Sequence, residues 1–148
     1  MNSAIMNETE MTAAPSVAPT MCDIRLPMGL LGFEQTKDYL LIINPAEEPF
    51  RWLQVKDNPA LAFVVVDPFI ALPEYRPDIP QADAEFLGLA SPSQAALFNI
   101  VTLHGSRATL NLKGPIVINR NTGIGKQVVI SNAAEYSVKH PLPTAEVA

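Results

Sequence analysis

Short apolar runs, broken by proline and glycine, fill most of the chain after residue 21. The run 39–43 ends at an Asn-Pro pair, and the run 61–66 is apolar on both faces, as in a strand at the centre of a sheet. The segment 108–112 alternates apolar and polar residues, as in a strand with one buried face. The predicted strands are 39–43, 49–55, 61–66, 95–103, 108–112 with its extension 116–118, 128–130 and 136–139.

Helical patterns are few and short. Residues 80–87 begin with proline and are followed by Gly88, which is typical of a short helix with a glycine C-cap. The stretch 67–80 holds four prolines, and because proline lacks the N–H that a strand needs, we predict an extended loop there. The pattern predicts a mainly β fold: a small antiparallel β-barrel-like domain with one or two short helices.

The two ends of the chain differ from its middle. Residues 1–21 are rich in alanine, threonine, serine and proline and show no periodicity, so we expect a disordered N-terminal tail. The β-barrel-like domain is predicted to span residues 22–142, followed by a C-terminal tail over residues 143–148. A chain of 148 residues, 48% of them hydrophobic, is long enough for one domain with a substantial core.

Charge and hydropathy argue against several classes of partner. The net charge is −5 at pH 7, and after residue 23 acidic and basic residues nearly balance. This composition gives no support for direct binding of nucleic acid, whereas a basic protein partner is compatible with it. No apolar stretch approaches the ~18 residues of a membrane span, and the N-terminus lacks the basic residues and apolar core of a secretory signal. We therefore expect a cytoplasmic protein that does not bind the membrane.

The stretch "NRNTGIGKQVV", residues 119–129, looks at first like a phosphate-binding loop. That motif requires a glycine five residues before Gly125, where Arg120 stands, and a serine or threonine after Lys126, where Gln127 stands. It also requires a helix to follow, and a β-branched run follows instead. We therefore predict a hairpin loop between two strands.

Reactive side chains do not cluster in the sequence. The two histidines, His104 and His140, and the one cysteine, Cys22, have no spacing typical of metal ligands. A hydrolase that uses Cys22 with either histidine is a formal alternative, although Cys22 lies at the edge of the predicted tail. Neighbouring carboxylates such as Glu47 and Glu48 diverge and do not form an acid–base pair. We therefore expect a binding protein without catalytic residues, cofactor or metal.

Five segments occur in a recognisable order: "GLLGFE", "LAFVVVDPF", "ATLNLKGPIVIN", "GIGKQVV" and "HPL". Together they resemble the flagellar assembly factor (FliW) family over residues 26–142, and the third and fourth are the most specific. The resemblance implies a small β-barrel-like fold and a role without catalysis. It also implies two protein partners. One is the carbon storage regulator CsrA, a small basic RNA-binding protein whose repression of flagellin translation the family relieves; the other is flagellin, which competes for the factor.

The N-terminal part departs from the family pattern. The family has a strand ahead of the "GLLGF" block, and here that place holds an alanine- and proline-rich stretch. We expect either a degenerate first strand or an open sheet edge. Lys56 also stands where the family usually has an uncharged residue.

The loop 67–80 is the candidate partner-binding face. Its acidic residues would speed the encounter with a basic regulator, and its aromatic residues would supply most of the binding energy. The candidate residues are Asp67, Phe69, Glu74, Tyr75 and Asp78. Asn111 is expected to satisfy backbone groups rather than to bind. Two alternatives stay open: Phe69 and Tyr75 only cap the end of the barrel, or the chain is a small-ligand-binding β-barrel without a protein partner.

Overall fold

The computed structural model describes residues 18–142, which form nine β-strands, two short α-helices and three single 3₁₀ turns. The strands are β1 Thr20–Arg25, β2 Asp38–Ile43, β3 Phe50–Val55, β4 Ala62–Val66, β5 Ala95–His104, β6 Arg107–Leu110, β7 Ile116–Asn119, β8 Gly125–Gln127 and β9 His140–Pro141. The helices are α1 Pro68–Ala71 and α2 Gln81–Phe86, and the 3₁₀ turns are Pro45–Glu47, Pro92–Gln94 and Ala133–Glu135. The prediction of an antiparallel, mainly β fold with one or two short helices is confirmed, but α1 lies in the stretch 67–80, which was predicted to be an extended loop. Neither helix of this region is long and apolar enough to cross a membrane.

The strands pair antiparallel in one sheet that branches at β5. The main path runs β1-β2-β3-β4-β5-β6-β9, and β7 pairs with both β5 and β8. The first residues of β5, 95–98, pair with β7, and the last, 101–104, pair with β6. Between them Asn99 and Ile100 lie against β4. The long strand β5 therefore joins three parts of the molecule.

The sheet is not closed into a barrel, and the β-barrel-like prediction is wrong in this respect. At one end β1 pairs along its length with β2, and only a single parallel bridge between Arg25 and Ile124 brings it to the loop before β8. At the other end β9 pairs with β6. Closure needs continuous pairing between the first and last strands, and the branch at β5 leaves separate ends instead.

The segments 108–112 and 116–118 form two strands on different parts of β5, not one extended strand. The alternation predicted for the first segment is confirmed, because its three apolar residues are all buried. Asn111 ends the strand: its Oδ1 accepts a hydrogen bond from Lys113 N at 3.1 Å, and its backbone carbonyl accepts one from the Asn99 side chain at 2.5 Å. Asn111 thus satisfies a backbone donor as expected, but it does so in a turn.

The predicted strands 128–130 and 136–139 are wrong. Val128 and Ile130 are buried, yet their N–H groups donate to carbonyls of the loop 111–115 at 2.9 and 3.2 Å. This segment therefore packs along a loop, while β8 lies just before it. Residues 136–139 follow a 3₁₀ turn, and the only strand beyond them in the described part of the chain is the two-residue β9.

The predicted hairpin around "GIGK" is confirmed, since β7 and β8 pair antiparallel. Gly123 in the connecting loop has a φ of +74°, a conformation that favours glycine. At Gly125 a Cβ would lie 2.9 Å from both Ile118 Cγ1 and Val117 O. The two glycines therefore serve a tight turn and a close strand contact.

A first strand is present, and within residues 18–142 it pairs along its length with β2 alone, so it lies at an edge of the sheet. Six residues of β1 pair in register with β2, with Cys22 opposite Leu41. The strand begins at Thr20, two residues before the predicted start of the ordered domain. The remaining parts of the two predicted tails, residues 1–17 and 143–148, lie outside the described residues.

Two large hydrophobic clusters lie on opposite faces of the central strands. In β4, Val65 belongs to the first cluster and Val66 to the second, because successive side chains of a strand point to opposite faces. The first cluster includes Tyr39 and Leu53, and the second includes Tyr75. The loop that follows β4 therefore closes the second core, and this arrangement places the candidate site.

Candidate partner-binding site

Asp67 begins the candidate loop as the N-cap of α1. Its Oδ1 accepts a hydrogen bond from Phe69 N at 2.8 Å, and Pro68 stands in the first turn, where its missing N–H is not needed. Leu72 N closes the helix by donating to Pro68 O at 2.9 Å. Because Asp67 is half-buried and its carboxylate serves the helix, its main role in the loop is structural.

Phe69 is an exposed aromatic side chain held at a fixed position. Its relative exposure is 41%, and its ring centroid lies 5.9 Å from that of Tyr75. The next residue, Ile70, is 52% exposed. An aromatic ring that rests on the protein and faces solvent has the character of a binding anchor.

Tyr75 is fully buried, and the prediction that it is an exposed anchor is wrong. Its hydroxyl donates to Leu112 O at 2.5 Å, and its ring meets Tyr136 edge to face with a centroid distance of 4.9 Å. Burial raises the pKa of Tyr75 to about 12. Of the two interpretations of the aromatic residues, the capping role is the one that fits Tyr75, while Phe69 remains available at the surface.

Hydrogen bonds tie the second half of the loop to a later segment of the chain. Arg76 N donates to the Tyr136 hydroxyl at 2.9 Å. The Asn132 side chain accepts from Asp78 N and donates to Arg76 O, both at 2.8 Å. Ser131 N donates to Asp78 O at 2.8 Å. The loop backbone is therefore fixed in advance, which lowers the entropy cost of binding.

Negative charge dominates the exposed surface of this region. Glu74 and Asp78 are exposed, and neither forms an ion pair with another residue in the range 18–142. Glu85 on α2 is also exposed and accepts a hydrogen bond from the Gln81 side chain at 3.1 Å. Arg76 is the one basic residue of the loop. This surface therefore favours a positively charged partner.

An apolar groove of about 550 Å³ lies between the candidate loop, α2 and the segment 89–97. Most of its lining is carbon, and the buried side chains of Tyr75 and Val117 form part of it. Other lining residues are Phe69, Ile79, Ala84, Leu89, Pro92 and Leu97. A groove of this size and character can take several apolar side chains of a ligand.

Sequence reasoning identified one wall of this groove and missed the others. Ala84 belongs to α2 and Leu89 to the turn after it, whereas Leu97 and Val117 belong to β5 and β7 and meet as a cross-strand pair. A local pattern cannot show which strands will be neighbours. The one available signal was Gly88, whose φ of +68° confirms the predicted C-cap and turns the chain along the groove.

The structure does not bring the reactive candidates together. Cys22 is exposed on β1, while His104 ends β5 and His140 lies in β9, and no hydrogen bond within residues 18–142 joins Cys22 to either histidine. His104 Nε2 instead contacts Thr109 Oγ1 at 3.2 Å. In the same part of the chain, no group of histidine, cysteine and acidic residues is placed to hold a metal ion.

Comparison with known proteins assigns the family. The family model described as "FliW protein" matches residues 6–142. The chain belongs to the FliW family. The flagellar assembly factor FliW of Leptospira biflexa is 39% identical over 119 residues, which are 78% of this chain and 77% of that protein. The FliW of Moorella thermoacetica is 34% identical over 122 residues, which are 80% of this chain and 77% of that protein.

The FliW fold is confirmed by a solved structure as well. A crystal structure of the flagellar assembly factor FliW matches with a TM-score of 0.74 and 36% identity, covering 82% of this chain and 85% of that one. The FliW family match includes β1, the candidate loop, α2 and the β7–β8 hairpin. The resemblance inferred from the five sequence segments is thus confirmed at the level of family and fold.

Proposed function

We propose that this FliW family member acts by binding proteins in the cytoplasm and not by catalysis. It binds and antagonises the translational regulator CsrA, which relieves the repression of flagellin synthesis. It also binds flagellin and acts as a partner-switching chaperone. The family assignment supports a role in flagellar assembly, and the two partners follow from the sequence resemblance.

The observation that carries the proposal is an apolar groove beside a negatively charged, tethered loop. Phe69 offers an aromatic anchor next to the groove, and Glu74 and Asp78 offer carboxylates free of ion pairs with described residues. A small basic partner with apolar side chains is complementary to such a surface. Asp67 and Tyr75 hold the loop in the conformation that presents these groups.

Partner exchange follows from mass action if the two complexes exclude each other. When flagellin is abundant it occupies the factor, less factor is free to bind CsrA, and translation of flagellin falls. When flagellin leaves the cell, the factor is released and binds CsrA again. The switch then depends only on the two affinities and the two partner concentrations.

Charge reversal on the loop tests the proposed face. The Glu74→Lys variant is expected to weaken CsrA binding about three- to tenfold at low salt, because it places a like charge against a basic partner. Isothermal titration measures this, and flagellin added first should weaken the apparent affinity for CsrA. Asp57→Lys, an exposed acid in the turn after β3, makes the same charge change away from the groove and serves as the control.

Two results would contradict the proposal in different ways. Absence of CsrA binding by the unaltered protein would remove the proposed function. Equal affinities of the Glu74→Lys and Asp57→Lys variants would keep the function but remove this face. The alternative of a small-ligand-binding β-barrel has less support, because it calls for an enclosed cavity in a closed sheet and the groove opens at the surface.

A further inference from the structure

The helix α2, which contributes Ala84 to the lining of the groove, is too short to be stable by itself. The helix spans only six residues, Gln81–Phe86, and an isolated helix of that length is not stable in water. Its C-terminus is closed by hydrogen bonds from Gly88 N to Glu85 O at 3.1 Å and from Leu89 N to Ala84 O at 3.0 Å. These bonds shape the helix end, but they do not attach the helix to the sheet.

Side chains of the β7–β8 hairpin supply that attachment. Asn119, which is 4% exposed, donates from Nδ2 to Leu87 O at 2.8 Å. Lys126 forms an ion pair with Asp83, whose side chain is only 14% exposed, and its Nζ lies 5.5 Å from the centre of the Phe86 ring. The middle of α2 and its C-terminal end are therefore both held by one hairpin.

The hairpin also forms part of the groove's inner side. Val117 in β7 is fully buried and lines the groove, and the close contact at Gly125 sets the spacing between β7 and β8. The distance between the inner side of the groove and its α2 wall is thus fixed by one rigid unit. Ala84, the residue of α2 that lines the groove, directly follows Asp83 in the helix.

We propose that Lys126 is a positioning residue: through Asp83 and Phe86 it fixes α2 and thereby the width of the partner-binding groove. This inference rests on the proposed function, because the groove is taken as the partner site. Lys126 itself does not line the groove, so its effect on affinity is indirect. Asn119 supports the same placement through Leu87, the residue that directly follows the helix.

The test compares two lysines that each form an ion pair. Lys126→Met removes the contact with α2, whereas Lys56→Met removes an exposed ion pair with Asp23 at 2.7 Å and changes the net charge equally. Lys126→Arg keeps the charge and serves as the rescue variant. Isothermal titration with CsrA gives the dissociation constant and the fraction of competent protein, and hydrogen exchange measures protection of the amides of Leu87, Gly88 and Leu89.

Lys126→Met is expected to raise the dissociation constant for CsrA about three- to tenfold, as is usual when one contact of a coupled network is lost. In the same variant the amides of Leu87, Gly88 and Leu89 should exchange faster, while Lys56→Met and Lys126→Arg should leave both readouts near those of the unaltered protein. If Lys126→Met lowers only the competent fraction, or matches Lys56→Met in affinity, the positioning role is overturned. If the unaltered protein does not bind CsrA, the proposed function fails, and unchanged exchange at α2 would then overturn the attachment independently.

Discussion

Tyr75 supports the candidate face from inside the protein. Its hydroxyl bonds the carbonyl of Leu112, its ring packs against Tyr136, and Phe69 rests on it at the surface. A buried residue can therefore still decide how an exposed neighbour is presented. At the residue scale, a side chain of this loop can affect partner binding through its neighbours as well as by direct contact with the partner.

Replacing Tyr75 by phenylalanine is expected to lower the free energy of unfolding by about 1–2 kcal/mol at neutral pH, because the buried Leu112 carbonyl loses its hydrogen bond. Urea denaturation followed by the fluorescence of Trp52, the one tryptophan, measures the change. The stability of the unaltered protein should also depend on pH. The pKa of Tyr75 is raised from 10.0 to about 12, so the folded state holds the phenolic proton more tightly than the unfolded state does.

The direction of the pH dependence follows from this difference in pKa between the folded and unfolded states. The contribution of Tyr75 to the free energy of unfolding is fully present below pH 10.0 and is lost as the pH rises through about 12. Tyr75→Phe should therefore show a smaller loss of stability across this range than the unaltered protein. Tyr39, whose pKa is also raised by burial, accounts for part of the loss that remains. Identical pH profiles for the two proteins would contradict this prediction.

At the scale of elements, the β7–β8 hairpin explains why two glycines stand where a phosphate loop could be suspected. Gly125 tolerates little change, since a Cβ there would meet Ile118 Cγ1 and Val117 O at 2.9 Å and Leu26 Cδ2 at 3.0 Å. These neighbours belong to the core and to a backbone carbonyl, and they cannot move aside cheaply. The glycine is thus an element of strand packing.

Gly125→Ala is expected to destabilise the protein by about 1–3 kcal/mol, the usual cost of overpacking a core. Gly114→Ala is the matched control, because the nearest atom to its added Cβ is the side-chain amide of Asn111 at 3.3 Å, which can shift. Thermal unfolding monitored by circular dichroism compares the two variants. Equal melting temperatures would show that the hairpin is looser than the structure indicates.

Several elements were predictable because their apolar pattern has a direct physical cause. The run 61–66 is apolar on both faces because β4 contributes Val65 to one core and Val66 to the other. The segment 128–130 was wrongly predicted as a strand, because Val128 and Ile130 are buried at alternate positions like strand residues. Their backbone N–H groups, however, donate hydrogen bonds to a loop. The alternation of apolar and polar side chains shows which residues are buried. It does not show which groups the backbone hydrogen-bonds to.

The candidate site was predictable only in part for a similar reason. Phe69, Glu74 and Asp78 are exposed as expected, but Tyr75 is buried. A proline-rich loop has no periodicity that separates inward from outward residues, so the sequence could not distinguish the two aromatic rings. The α2 wall and its attachment at Lys126 depend on contacts between residues far apart in sequence, which no local motif reveals.

At the scale of the whole molecule, net charge and its distribution govern how partners approach. The chain carries a net charge of −5, and the exposed part of the candidate region is acidic. Long-range attraction therefore guides a basic protein toward the molecule before any apolar contact forms. In the proposed complex, apolar contacts in the groove are then expected to set the rate of dissociation.

Raising the ionic strength from about 0.05 M to about 0.5 M is expected to slow association with CsrA strongly and to change dissociation little, because salt screens exposed charges over a shorter distance. Stopped-flow kinetics measure both rate constants. A variant with Glu74→Lys and Asp78→Lys together should show a weaker salt dependence of association. The prediction would be contradicted if salt changed the dissociation rate constant more than the association rate constant.

The position of β1 at the edge of the sheet formed by residues 18–142 has a consequence for solubility. An unpaired strand edge is a template on which the strand of another molecule can add, and repeated addition produces fibrils. Here Asp23 and Arg25 place opposite charges along the strand, engaged with Lys56 and Asp38 at 2.7 Å, and Pro19 just before it has no N–H to offer. Charged side chains and proline along an edge strand disfavour the addition of another strand. The ion pair that Lys56 forms with Asp23 therefore adds to the charged side chains that we expect to keep separate molecules from joining at this edge.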